Sequence, residues 1–346
     1  MGEVLTVVLG GKAMTLFSML FGIGLCIFFE RASARGPGAM TLLTRRLLVL
    51  MAFGFAHVIF LWHADILASY AVSGLIALLL IRKRAAILLT VAIALLGGRA
   101  LIVWMWPTVL PPSNAAMVAQ HYQDALATYG GGSYLDVLVF RATEVRDIFL
   151  RFSFTHMPTE LSHFLIGICI WRAGVLRHAA RYRRVLAWGA FVGIAAGASF
   201  AIVRLVPEAM ARIPYAQGEL FYAIHSVFLR MFALGYGALL LLLLQRPSTR
   251  AKLLRLAPLG QMAFTNYLTQ SMVFSTIFYG YGFGLLTKLG TAAAVLLGIA
   301  FYVVQAVVSI LWLRRFVFGP FEWAWRCLTY GKLQPMRRLP RPIQSI

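Results

Sequence analysis

Three side chains near the middle of the chain, His156, Glu160 and His163, stand four and three residues apart in the run RFSFTHMPTELSHFLIGI. On a helix, at 100° per residue, they fall within an arc of about 60° on one face. Two imidazoles with a carboxylate between them can relay protons, the acid orienting and the bases accepting. The same set offers metal ligands, but seven residues of helix separate the two imidazoles by about 10 Å, too far for one ion without distortion. A polar mouth, or hydrogen bonds between helices, is the structural alternative.

A second constellation precedes it. His57 lies eleven residues after Arg46, and the short segment LWHADILASY brings His63, Asp65 and Tyr70 together. Asp65 is placed to cap a following helix. It is equally placed to orient an imidazole that acts as a base. Further along, Arg230 and His225 sit in FYAIHSVFLRMFALGYG, with Arg230 about ten residues from either end of an apolar run. Asn266 and Gln270 share a face in GQMAFTNYLTQSMVFSTIFYGYGFG, beside Thr265, Thr269 and Ser271; Gln305 is a similar, weaker case. Amides inside an apolar run need partners, either polar groups of a substrate or amides of another helix. The catalytic candidates are therefore His57, Asp65, His156, Glu160 and His163. The substrate-binding candidates are Arg230, His225, Asn266, Gln270 and Tyr70. No metal site is assigned, and Cys26, Cys169 and Cys327 lack metal-ligand spacing and read as packing residues.

These groups must be held by apolar elements. The 346 residues are 61% hydrophobic and 12% charged, against about 45–50% and about 25% in soluble domains. That balance excludes a soluble enzyme and a disordered chain. The fold class is all-α: a polytopic membrane helix bundle of about nine spans, near 10–29, 46–62, 65–81, 85–106, 154–172, 185–206, 219–245, 258–281 and 290–313. The net charge is +21, and one alternation of these spans puts 23 of the 32 Lys and Arg at one end. The positive-inside rule makes that end cytoplasmic, so the charge needs no nucleic acid. Arg99 and Arg204 lie near the opposite ends of their helices and read as interfacial anchors.

The chain reads as a single transmembrane domain over 1–346. An outer segment over 107–152 contains an amphipathic interfacial helix, and a basic cytoplasmic tail covers 314–346. Ser113 and Ser133 are placed to cap two short helices in the outer segment, the second with Leu135, Leu138, Val139, Ala142 and Val145 on its apolar side. Nine spans with an inner C-terminus put the N-terminus outside, and this predicts one more helix before Met1.

Four stretches carry a family resemblance: KAMTLFSMLFGIGL (12–25), RRLLVLMAFGFAHVIFLWHADILASYAVSG (45–74), LGQMAFTNYLTQSMVFSTIFYGYGFGL (259–285) and GPFEWAWRCLTYGKLQP (319–335). They resemble the YeiB-like family of bacterial multi-spanning inner-membrane proteins of unknown function, in the same order and over nearly the whole chain. His57, Trp62, Asp65, Tyr70, Asn266, Tyr267, Gln270, Gly319, Glu322, Trp323 and Arg326 match the family pattern, whereas position 63 commonly carries another residue. The family usually begins with an additional helix. It is distantly similar to transmembrane acyltransferases of the acyltransferase-3 and heparan-glucosaminide acetyltransferase types.

That similarity implies acyl transfer, with acyl-CoA as a candidate donor from the cytoplasm and a cell-envelope or other polar acceptor outside. The rival expectations are a transporter of a small polar or anionic compound and a non-catalytic membrane partner or sensor. The surroundings expected are the bacterial inner membrane with its anionic lipids.

Overall fold

The computed structural model describes residues 11–63, 65–109, 115–205 and 219–338, apart from the side chains of 99–100, 102–109, 115–118, 145–155, 204 and 219–223. Ser113 and the side chains of Arg99 and Arg204 lie outside the described residues. The described chain is helical: α1 (Lys12–Ser33), α2 (Ala39–Phe60), α3 (Leu67–Leu80), α4 (Ala85–Val109), α5 (Ala115–Gly131), α6 (Tyr134–Thr155), α7 (Met157–Arg172), α8 (Arg183–Leu205), α9 (Glu219–Leu244), α10 (Pro247–Leu254), α11 (Ala257–Gln261), α12 (Ala263–Phe278), α13 (Thr291–Arg315) and α14 (Pro320–Tyr330).

Five of these, α1, α2, α8, α9 and α13, are long and apolar enough to cross a membrane. Their outward surface is apolar. On α13, Leu296, Ile299, Val303, Val304 and Val307 are exposed while Gln305 and Ser309 point inward, the inverse of a soluble helix. This is a multi-pass helical membrane bundle.

The centre is built from shorter helices. α3, α7 and α12 have 14, 16 and 16 residues, or about 21–24 Å of rise. Each falls short of the roughly 30 Å hydrocarbon layer, and the Asp65 side chain, just before α3, is fully buried. α1 crosses α7 closely enough that a Cβ on Gly22 would strike the Phe164 backbone, and one on Gly167 the Met19 backbone. Leu25, Leu43, Leu47, Tyr70, Phe164 and Ile168 fill the core around this crossing. α8 and α9 form a second packed pair beside it.

Three features differ from the spans expected. α2 begins at Ala39 rather than 46, because Arg46 is accommodated inside the helix. Its guanidinium lies 3.6 Å from the Trp325 ring centre and 5.0 Å from that of Phe28, a cation–π sandwich. The eighth span breaks at Met262 into α11 and α12. The freed N–H groups of Phe264 and Thr265 donate to Glu322 Oε1 at 2.8 and 3.0 Å, and the Thr265 hydroxyl to Oε2 at 2.5 Å. A buried helix start needs such an acceptor. Within the basic segment 314–346, α14 docks back on α2, with Trp325 Nε1 donating to the Arg46 carbonyl at 2.9 Å.

The two ends of the bundle are chemically distinct. Contacts join Glu30 to Trp171, Arg172 to the Lys83 and Ile81 carbonyls, and Gln245 to the Ala179 carbonyl. This is the arginine-rich end. At the other end, Tyr134 reaches the Phe60 carbonyl, Arg141 the Ile59 carbonyl, and Gly280 N–H the Tyr129 carbonyl.

Candidate active site

The approach of α2 to α3 sets the site. A Cβ on Gly54 would collide with the Ala68 backbone, so only glycine lets the two helices meet there. One turn later on α2, His57 faces Asp65, which precedes α3. Asp65 Oδ1 lies 2.9 Å from His57 Nδ1, and both side chains are fully buried. The contact is close but off the angle of a well-formed hydrogen bond, since His57 Nδ1 has no hydrogen-bond partner by geometry. Asp65 is held from the other side. The Ala68 N–H donates to Oδ2 at 2.8 Å and the Tyr267 hydroxyl to Oδ1 at 3.3 Å. The carboxylate therefore caps α3 and faces the imidazole at once.

The far nitrogen of the ring completes a relay. His57 Nε2 lies 2.8 Å from Ser271 Oγ on α12. Which of the two donates follows the imidazole tautomer, and the Ser271 hydroxyl also donates to the Tyr267 carbonyl one turn back at 3.3 Å. Asp65, His57 and Ser271 thus place a carboxylate, an imidazole and a hydroxyl in successive close contact. The Tyr267 ring centre packs 5.0 Å from that of His57. Ser271 lies midway along α12, between the two ends of the bundle.

The outer segment secures this arrangement. α6 is capped as its sequence suggests: Ser133 Oγ accepts from Asp136 N–H, and Asp136 Oδ2 accepts from Ser133 N–H and hydroxyl. The Asp136 carboxyl is held below its usual range by these Ser133 bonds. Two charged side chains of this helix turn inward. Arg141 is fully buried and Glu144 nearly so, whereas Leu135 and Val139 are exposed. Arg141 Nη1 and the Tyr134 hydroxyl donate at 3.4 and 3.0 Å to the last carbonyls of α2, those of Ile59 and Phe60. The C-terminus of α2 carries partial negative charge and unpaired carbonyls, so this lid fixes the helix end that bears His57.

Above it, Trp62, His63, Tyr129 and Tyr279 stack at 4.8–5.7 Å. The Tyr129 hydroxyl donates to Glu144 at 2.6 Å. Burial holds the His63 imidazole below its usual value. Burial also raises Tyr129, reinforced by its bond to Glu144.

The remaining expected residues separate. Glu160 and His163 are buried on α7, while His156 is exposed at its start. Glu160 accepts from Ser69 at 3.2 Å and Ser73 at 3.4 Å on α3, next door to Asp65 but not on the His57 relay. The Tyr70 hydroxyl meets Ser18 Oγ at 2.6 Å, facing α1. Asn266 Nδ2 donates to Ser309 and to the Leu259 carbonyl, Gln270 Nε2 to Gln305 Oε1 at 2.7 Å, and Gln305 Nε2 to the Asn266 carbonyl at 2.9 Å. These amides join α12 to α13. His225 stacks on Phe200 at 5.2 Å in the α8–α9 pair, on whose second helix Arg230 also lies. A single substrate site built from Arg230, His225, Asn266 and Gln270 is thus divided between two helix pairs.

Among the described residues, no group of three His, Cys, Asp or Glu side chains could hold a metal ion. Sequence reasoning missed Ser271 as a partner of His57, 214 residues away. Its one signal is that it stands four residues after Tyr267, on a stripe adjacent to that of Asn266 and Gln270.

Comparison with known proteins gives relatives without a described activity. A family described as "Protein of unknown function (DUF418)" matches residues 170–332. The uncharacterized protein YxaH of Bacillus subtilis (strain 168) is 33% identical over 344 residues, covering 94% of this chain and 81% of that protein. An uncharacterized 39.9 kDa protein from the amylase 3′ region of Bacillus acidopullulyticus is 28% identical, covering 93% and 80%. The uncharacterized protein YeiB of Escherichia coli (strain K12) is 27% identical, covering 94% and 83%. No solved structure matches the chain.

Proposed function

The chain belongs to the DUF418 family of proteins of unknown function, and on that premise we propose that it is a bacterial inner-membrane acyltransferase. The observation that carries this reading is the Asp65–His57–Ser271 chain, with contacts of 2.9 and 2.8 Å. Ser271 Oγ attacks the carbonyl carbon of a thioester donor such as acyl-CoA while His57 Nε2 takes its proton. The carbon–sulfur bond breaks, and the leaving thiolate receives that proton. In the second half, His57 takes the proton of an acceptor hydroxyl, which attacks the acyl-serine, and Ser271 regains its proton as the ester bond breaks. Asp65 holds the ring and stabilises its charged form.

The arginine-rich end faces the cytoplasm in this reading, so donor and acceptor reach a mid-depth serine from opposite ends. The acceptor is a cell-envelope or other polar hydroxyl compound. The test is thioester consumption by purified protein in lipid nanodiscs, using acetyl-CoA with and without added sugar acceptors. Turnover that disappears in His57→Ala and Ser271→Ala supports the reading, and turnover unchanged in both overturns it.

Transport of a small polar or anionic compound receives less support. The cavity beside His225 and Lys12 is about 20 Å³, room for about one water. Uptake of an unmodified compound into proteoliposomes, undiminished in Ser271→Ala, would favour transport instead.

A further inference from the structure

A cluster of arginines lies at the end of the bundle opposite the outer lid. A cavity of about 310 Å³ opens between the α1–α2 turn and α14, lined among others by Phe28, Arg31, Arg35, Leu42, Arg326 and Tyr330. Its lining contains three arginines and no carboxylate. The two acids of this end are committed elsewhere. Glu30 accepts from Trp171 Nε1 at 2.9 Å, and Glu322 caps α12.

Two independent features strengthen the positive field. The lining runs through Gly38 and Ala39, the start of α2, a 22-residue helix without a side-chain cap on its first N–H groups. Such a helix start carries partial positive charge and open donors. Behind the cavity wall, between Phe28 and Trp325, Arg46 holds a buried Nη1 with no hydrogen-bond partner. Like charges gathered this closely repel one another, and an anion that accepts from several of them relieves that cost.

We infer that this cavity is a binding site for a phosphate ester, whose phosphate is held by Arg31, Arg35, Arg326 and the start of α2 and whose organic part rests on Phe28, Leu42 and Tyr330. Guanidinium forks match phosphate oxygens in pairs, and an uncapped helix start adds backbone donors. The volume falls in the range of small-ligand pockets, about 300–1,000 Å³. Two sources share this chemistry, a soluble organic phosphate and a phospholipid headgroup. The site stands independently of acyl transfer, because its recognition uses none of the Asp65–His57–Ser271 residues.

The experiment uses the full chain in nanodiscs, first of phosphatidylcholine with ADP titrated as the soluble probe, then of mixed phosphatidylcholine and phosphatidylglycerol with native mass spectrometry of retained lipid. Arg35→Gln and Arg326→Gln are the site variants, and Arg250→Gln, exposed on α10 at the same end, is the charge control. A soluble ligand gives ADP binding that weakens by about tenfold or more in each site variant and is unchanged in the control. A lipid ligand gives selective retention of phosphatidylglycerol, lost in the site variants and kept in the control, without a response to ADP. Absence of both responses, or an equal loss in Arg250→Gln, overturns the proposal. Proper folding of the variants is read from an unchanged size-exclusion profile and melting temperature in phosphatidylcholine.

Discussion

Helix α12 carries two polar stripes one residue apart, and their fates differ. Asn266 and Gln270 point to α13 and meet Ser309 and Gln305 in a ladder of neutral amides. Tyr267 and Ser271 point to α2 and α3 and meet Asp65 and His57. Both stripes bury polar atoms in an apolar bundle, and the side chains of α12 in both find partners. They differ in what is satisfied. The amide ladder pairs groups that cannot titrate near neutral pH, and its bonds join helices. The other stripe brings a carboxylate, an imidazole and a hydroxyl into contact, groups able to exchange protons in the reading proposed above. A polar residue inside a membrane helix is thus not informative by itself; the chemistry of its partner decides its role.

The comparison predicts opposite responses to substitution. The largest effect is expected in Ser271→Ala, which loses acyl transfer by about 10⁴-fold or more with a small change in melting temperature. A variant that keeps its activity breaks the distinction. Asp65→Asn comes next. Asparagine still caps α3, so stability holds, but it can favour the wrong tautomer of His57, and turnover falls by about 10³–10⁴-fold. Equal losses of stability and activity would mean that Asp65 serves only as a cap.

The amide stripe should behave in reverse. Gln270→Leu costs about 1 kcal/mol by stranding Gln305, whereas Gln270→Leu with Gln305→Leu recovers most of it, and activity persists in both. Thermal unfolding in detergent with the transfer assay reads both quantities.

The smallest expected effect concerns the lid. The His63 imidazole is held below its usual value near 6.5 by burial. The unfolded chain therefore binds the proton more readily. The stability it contributes is fully present above about pH 6.5 and is lost as pH falls through the folded value. Melting temperature should decline from pH 7.5 to 5 in the wild type and less steeply in His63→Gln. Parallel curves would remove His63 from the account.

Much of the scaffold was readable in the residues. Apolar runs located the membrane helices, and the asymmetric placement of arginine distinguished the two ends. Ser133 announced the cap of α6, and Asp65 that of α3. What escaped was long-range. The serine that meets His57 is an ordinary residue in an apolar helix, identifiable only once α12 is laid against α2. The inward turn of α6 escaped for a related reason. Its pattern suggested a helix lying on the outer interface, which says nothing of where its charged side goes; Arg141 finds its partner at the end of α2. Glu322, at the other end, looked like one acid in a basic segment. Its role depends on the break at Met262, which strands the N–H groups it accepts.

The central claim is that Ser271 is a nucleophile activated by His57. Its most direct measurement is intact-protein and peptide mass spectrometry after brief exposure of the purified protein to acetyl-CoA without acceptor, quenched in acid. The account predicts one acetyl increment on Ser271, absent in His57→Ala and Ser271→Ala and discharged by an acceptor alcohol. Acyl transfer that proceeds with an acetyl group on no residue, or on one other than Ser271, would contradict it.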